Sequence, residues 1–265
     1  MKKKSLTNIK VVLEYDGTNY FGWQVQEGQP TIQGELSKAV AAVTGRTITI
    51  FGAGRTDAGV HALGQVANFK TDCRVPPRKL AHALNAHLPK DITVVSAEAV
   101  PEDFHSQFGA HSKLYRYTIL NREYPSAVHR LTTHLVRMPL DADKLRAAAA
   151  HLVGTHDFRS FGSEMSKKEK TVRTISSIEV RREGDLIVLE FSGDGFLYNQ
   201  VRAMTGTLIE VGMAKKPPEW VKEVRDGKDR TKAGANVPAK GLCLVRVDYA
   251  AVAPLRAPVK PENRP

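Results

Sequence analysis

VRTISSIEVRREGDLIVLEFS, Val172 to Ser192, is the stretch that decides the fold. Two runs, Val172–Arg182 and Leu186–Ser192, alternate apolar with polar residues, as half-buried strands do. Glu183-Gly184-Asp185 between them reads as a hairpin turn, so the pair is antiparallel. Ile9–Tyr15, closed by Asp16-Gly17, and Leu242–Tyr249 read as strands of the same kind. Ile48–Ala53, Val60–Phe69, Ile92–Val100 and Leu114–Leu120 also look extended.

Helices intervene. Thr31–Val43 carries Ile32, Leu36, Ala39, Val40 and Val43 at helical spacing and is followed by Gly45. Pro77–Leu88, Asp141–Leu152 with its capping Asp, Asn199–Met213 and Pro218–Asp226 read as four more. Strand–helix–strand units occur in both halves, but hairpin-like turns replace strict βαβ alternation. The expectation is an α+β fold with a mixed, mostly antiparallel sheet. Ser163–Thr171, SEMSKKEKT, reads as a charged surface loop, and the proline-rich tail from 251 to 265 as disordered.

Lys and Arg number 39 against 28 Asp and Glu, a formal net charge of +11. That surplus favours a polyanionic partner or an anionic surface. No apolar run approaches the roughly 20 residues that span a bilayer. The start, MKKKSLTNIKVVLEYDG, is charged like a signal peptide but lacks its apolar middle. Two cysteines, Cys73 and Cys243, make no CxxC pair, and the pairs among nine histidines stand five apart rather than four. We therefore expect a reduced, cytoplasmic protein without a metal site.

Chemistry concentrates in Gly52–Val66, GAGRTDAGVHALGQV. Its glycines permit sharp turns and close approach of a ligand, and they surround Arg55, Thr56 and Asp57. The bland reading is a strand connection whose Asp57 and Arg55 form a local ion pair; a phosphate loop lacks its GK[ST]. The functional reading takes Asp57 as an ordinary carboxylate, ionised at neutral pH and able to act as a nucleophile at a sugar C1′. In Lys113-Leu114-Tyr115-Arg116-Tyr117 the two tyrosines share a strand face. They either stack on an unpaired base or pack in the core. Arg202, in the apolar helix of FLYNQVRAMTG (Phe196–Gly206), either snorkels or pairs with a buried acid. YDGTNYFGWQ (Tyr15–Gln24) is either a nucleic-acid surface or packing.

Taken in order, YDGTNYFGWQ, TIQGEL, GAGRTDAGVHALGQV, DFHSQF, KLYRY, VRAMTG and GLCLVRVDY resemble the motifs of the tRNA pseudouridine synthase A family, from Val12 to Tyr249. The resemblance implies a pseudouridine synthase fold of two similar α/β halves around a basic cleft, residues 1–107 with the Asp loop and 108–250 after it. It implies an isomerase that turns uridine into pseudouridine at positions 38–40 of the tRNA anticodon arm. It needs no cofactor and no metal, and acts as a homodimer. By the same resemblance Asp57 is the catalytic aspartate, acting at C1′ or at the base, Tyr115 stacks on the target base, Arg202 pairs with Asp57, and Arg55 is linked to displacing the base. Two rivals stand beside it. One is a non-catalytic tRNA-binding protein on the same scaffold. The other is a glycosidase releasing the base through two carboxylates, with Glu102-Asp103 the obvious pair.

Overall fold

The computed structural model describes residues 6–163 and 170–250. Most of the SEMSKKEKT loop and the 251–265 tail lie outside the described residues. The strands are β1 (Thr7–Tyr15), β2 (Phe51–Gly52), β3 (His61–Thr71), β4 (Ile92–Val100), β5 (Ala110–Leu120), β6 (His134–Leu135), β7 (Gly154–Asp157), β8 (Val172–Glu183), β9 (Leu186–Gly193) and β10 (Leu242–Tyr249). The helices are α1 (Ile32–Thr44), α2 (Pro77–Asn85), α3 (Ala142–Ala150), α4 (Gln200–Gly212) and α5 (Trp220–Gly227).

All ten strands join one sheet in the order β4-β1-β3-β10-β5-β9-β8-β7, with β2 on β3 and β6 on β5. The β8–β9 hairpin forms around Glu183–Asp185 in antiparallel register, Val180 opposite Leu189. Every pairing is antiparallel except β10 with β3 and β5 with β6. The fold is therefore α+β with a mixed, mostly antiparallel sheet. β10, the last of the described strands in sequence, lies between β3 and β5.

Helix ends follow the local chemistry. The Thr31 hydroxyl accepts from Gly34 N at 3.2 Å to start α1, and Gly45 ends it in the left-handed region. The Asp141 carboxylate accepts from Asp143 N and Lys144 N to start α3. Helix α4 is buried almost all round, from Gln200 through Gly212. Its Gly206 leaves no room for a side chain, since a Cβ there would stand 1.9 Å from the Ala235 carbonyl oxygen.

Several expected elements are shorter than read, among them α3, which ends at Ala150 rather than Leu152. The extended run Ile48–Ala53 contracts to Phe51–Gly52. There the Gln33 amide of α1 donates to the Ile50 carbonyl at 3.0 Å, occupying the group a ladder would use. The helix from Pro77 ends at Asn85 rather than Leu88, because the Asn85 amide leaves the helix to pair with Val94 N at 2.7 Å and Val94 O at 3.0 Å on β4. The short strands β6 and β7 carry too few residues for a periodicity to show.

Candidate active site

Asp57 lies in the connection between β2 and β3, and this connection is clamped from every side. Ala53 N donates to Val66 O at 2.8 Å, and the Gln65 amide donates to Gly54 O at 2.9 Å. The Lys113 ammonium of β5 donates to Ala53 O at 2.9 Å. The hydroxyls of Thr56 and Tyr15 share a buried hydrogen bond of 2.8 Å. From outside, Trp23 N donates to Thr56 O at 3.0 Å. Gly22, at φ +89°, lies so close that a Cβ would stand 2.5 Å from that same oxygen. The YDGTNYFGWQ segment is therefore a buttress under the loop. Trp23 and Tyr20 are buried, and Phe21 alone among its large apolar side chains is exposed.

Arg202 reaches the loop from the first turn of α4. Its Nη1 donates to Asp57 Oδ2 at 3.3 Å and to Asn199 Oδ1 at 2.8 Å, while Nε donates to Val237 O at 2.8 Å. Both members of the pair are withdrawn from solvent, with side chains 19% and 12% exposed for Arg202 and Asp57. Asn199, just before the helix, holds φ +65°, a conformation that asparagine tolerates better than most residues. The partner of Asp57 is thus Arg202 and not Arg55. Arg55 is exposed at the cleft and makes no ion pair among the described residues.

Asp57 is not the ordinary carboxyl that the sequence suggested. Burial raises its pKa, and the Arg202 charge opposes that rise without cancelling it. Burial also raises the Tyr115 hydroxyl, and the neighbouring Asp57 charge adds to the effect. Tyr115 is buried on the wall and meets Phe196 edge to face, ring centroids 5.2 Å apart. Tyr117, one pleat along, is core: it is fully buried and its hydroxyl donates to Pro238 O at 2.8 Å. Of the two tyrosines of KLYRY, Tyr115 lines the cleft and Tyr117 does not.

Around these residues opens a cleft of about 860 Å³. Its charged lining comprises Arg55, Lys113, Arg173 and Arg202 against Asp57 and Asp194. Burial and the Arg173 charge lower the Lys113 pKa, as expected where cations crowd a desolvated wall. Lys113, Arg173, Asn199 and Gln65 were missed as site residues. For Lys113 the signal was its place two residues before Tyr115 on the same strand face; Arg173 gave none. Glu102 and Asp103 are exposed and do not line the cleft. Among the described residues no group of three His, Cys, Asp or Glu side chains could hold a metal ion.

A family model described as tRNA pseudouridine synthase matches residues 11–109 and 148–250. "tRNA pseudouridine synthase A 2" of Clostridium perfringens is 46% identical over 244 residues, 92% of this chain and all of that protein. "tRNA pseudouridine synthase A" of Citrifermentans bemidjiense is 48% identical over 245 residues, covering 92% of this chain and 98% of its own length. The enzyme of the same name from Clostridium acetobutylicum is 46% identical over 92% of this chain and all of its own length. With these matches over nearly the whole chain, this protein belongs to the tRNA pseudouridine synthase family.

Proposed function

We propose that this chain isomerises uridine to pseudouridine in tRNA, at positions 38–40 of the anticodon arm. The observation that carries the reading is the Asp57–Arg202 pair, 3.3 Å apart, in a cleft whose charged lining is mainly cationic. The reaction breaks N1–C1′, turns the uracil and joins C5 to C1′; C5 loses a proton and N1 gains one, so nothing is added or removed. Asp57 supplies the negative charge and nucleophilic oxygen that a glycosidic carbon losing its base requires. Arg202 favours the ionised carboxyl and offsets part of the rise that burial causes. The base must leave its stack to be reached, at a cost of a few kcal/mol. Tyr115 receives the uracil against its ring, and the exposed Arg55 guanidinium fills the space the base leaves. Lys113 and Arg173 meet the phosphates.

The glycosidase rival needs a second carboxylate beside the first. The other acid of the cleft, Asp194, spends one oxygen on Thr174 N at 3.0 Å. A non-catalytic tRNA binder has no use for a buried acid held beside an arginine. The resemblance of the ordered motifs also supports a cytoplasmic homodimer made of two halves, 1–107 and 108–250. The test is tRNA treated with purified protein and then chemically labelled for pseudouridine, with free base measured in parallel. Pseudouridine at the expected positions supports the proposal; released uracil moves the protein to the hydrolases; neither product leaves a binding protein.

A further inference from the structure

The segment Asp103–Phe108, DFHSQF, has no part in the chemistry above, yet it ends at the same cleft. Phe108 is 80% exposed, and Phe51 beside the catalytic loop is 43% exposed. The His105 ring stands between them, with centroids 4.8 Å from Phe51 at 45° and 4.4 Å from Phe108 at 35°. Phe51, Gln107 and Phe108 all line the cleft that holds Asp57 and Tyr115.

This row of rings is held rigidly. Ser106 N donates to Asn68 Oδ1 at 2.9 Å, and Ser106 Oγ donates to Phe51 O at 2.7 Å. The Tyr249 hydroxyl donates to Ser106 O at 2.7 Å, and Gly109 N donates to His105 O at 2.9 Å. His105 Nδ1 accepts from Gln107 N at 3.1 Å and from Phe108 N at 3.4 Å, so the imidazole caps the turn that presents Phe108. An apolar ring left in water on a fixed turn loses its burial energy but spends less entropy when a partner lands on it than a ring on a mobile loop would.

We propose that Phe108, backed by His105 and Phe51, is a stacking platform for an unpaired base next to the target uridine. The proposal rests on the reading of the cleft as an RNA-modifying site. Turning one uridine out of a strand strips its neighbour of a stacking face. A ring at the rim replaces that face for any base, since every base has one. The cationic cleft lining brings the backbone to the same place. The Gln107 amide stands ready at the edge of whatever base lies there.

The experiment measures binding and single-turnover pseudouridine formation on an anticodon-arm hairpin. It compares wild type with Phe108→Ala, Phe108→Leu and Phe108→Trp, and records the melting curve of each. Phe108→Ala is expected to weaken binding about 10-fold, within a range of about 5- to 100-fold. Its rate at saturating RNA should stay within about 2-fold of wild type. Phe108→Trp binds at least as tightly as wild type, and Phe108→Leu stays weak because bulk without a π face does not stack. Hairpins abasic at the 5′ or the 3′ neighbour of the target close a double-mutant cycle. With one of them wild type loses the same factor and Phe108→Ala loses nothing more. Wild-type affinity in Phe108→Ala or Phe108→Leu overturns the platform, and so does an Ala defect that persists undiminished on both abasic hairpins. A change in sedimentation without a change in affinity makes Phe108 a protein contact and also overturns it. If wild type binds the hairpin but forms no pseudouridine, the catalytic reading fails and the stacking cycle is still read from binding.

Discussion

At Asp57, burial and the Arg202 charge pull one carboxyl in opposite directions, and burial prevails. Catalysis needs the ionised form, so the single-turnover rate should rise with pH through a midpoint above the usual aspartate range. Arg202→Met removes the opposing charge and should move that midpoint higher still, lowering the rate at neutral pH; an unmoved midpoint would detach Arg202 from the titration. For stability the sign is the reverse of the usual aspartate. The folded protein holds the Asp57 proton more tightly than the unfolded chain. Its contribution is fully present below the unfolded pKa and is lost as pH rises through the folded one. Asp57→Asn should therefore melt no lower than wild type at neutral pH, because Arg202 keeps Asn199 Oδ1 and Val237 O as acceptors. Its turnover should fall by at least about 10⁴-fold with tRNA affinity retained, as filter binding beside single-turnover labelling will report. A mutant both active and unchanged in its pH profile would remove Asp57 from the chemistry.

At the level of elements, strand β5 sets the roles of its tyrosines by the side chains each meets. Tyr117→Phe removes the hydrogen bond from a fully buried side chain to the Pro238 carbonyl and should cost about 1 kcal/mol of stability with little change in turnover. Tyr115→Phe should leave the melting curve nearly unmoved, since no hydrogen bond from its hydroxyl is present among the described residues, and should retain RNA binding. Chemical denaturation with single-turnover rates for both variants checks the contrast. The same strand shows what sequence makes legible. Alternation placed Tyr115 and Tyr117 on one face, and Arg116 on the other, where it meets Glu190 at 2.8 Å. Alternation is silent on which tyrosine meets the cleft, because that depends on Phe196 and Pro238, each more than 70 residues away. The ends of α1 and the start of α3 were legible because Thr31, Gly45 and Asp141 act on their own neighbours. The contraction of β2 was not, because the group that takes the Ile50 carbonyl comes from Gln33 on α1. Likewise the residues of the Asp57 loop announced themselves, whereas their clamps, Gln65, Lys113 and Trp23, look like ordinary strand or core positions.

Across the whole molecule, the net charge of +11 should make tRNA binding fall steeply with salt. Each phosphate contact contributes a slope of roughly −0.7 to −0.9 on logarithmic axes. Arg173→Met should flatten that slope by about 1; a wild-type slope near zero would dispose of the cationic cleft as an RNA site. Gly206→Ala should cost at least about 2 kcal/mol, because the new methyl meets the Ala235 carbonyl where α4 crosses the segment that carries Val237 and so anchors Arg202. Thermal melting and activity should fall together in that variant. Finally, β10 has a meaning for the order of synthesis. It is the last of the described strands to leave the ribosome, and it fills the place between β3 and β5, while its Leu242 closes the wall of the cleft. Until it arrives, a nascent chain holds two unjoined sheets with bare inner edges. A chain cut short before Leu242 therefore has neither a sealed sheet nor a finished cleft.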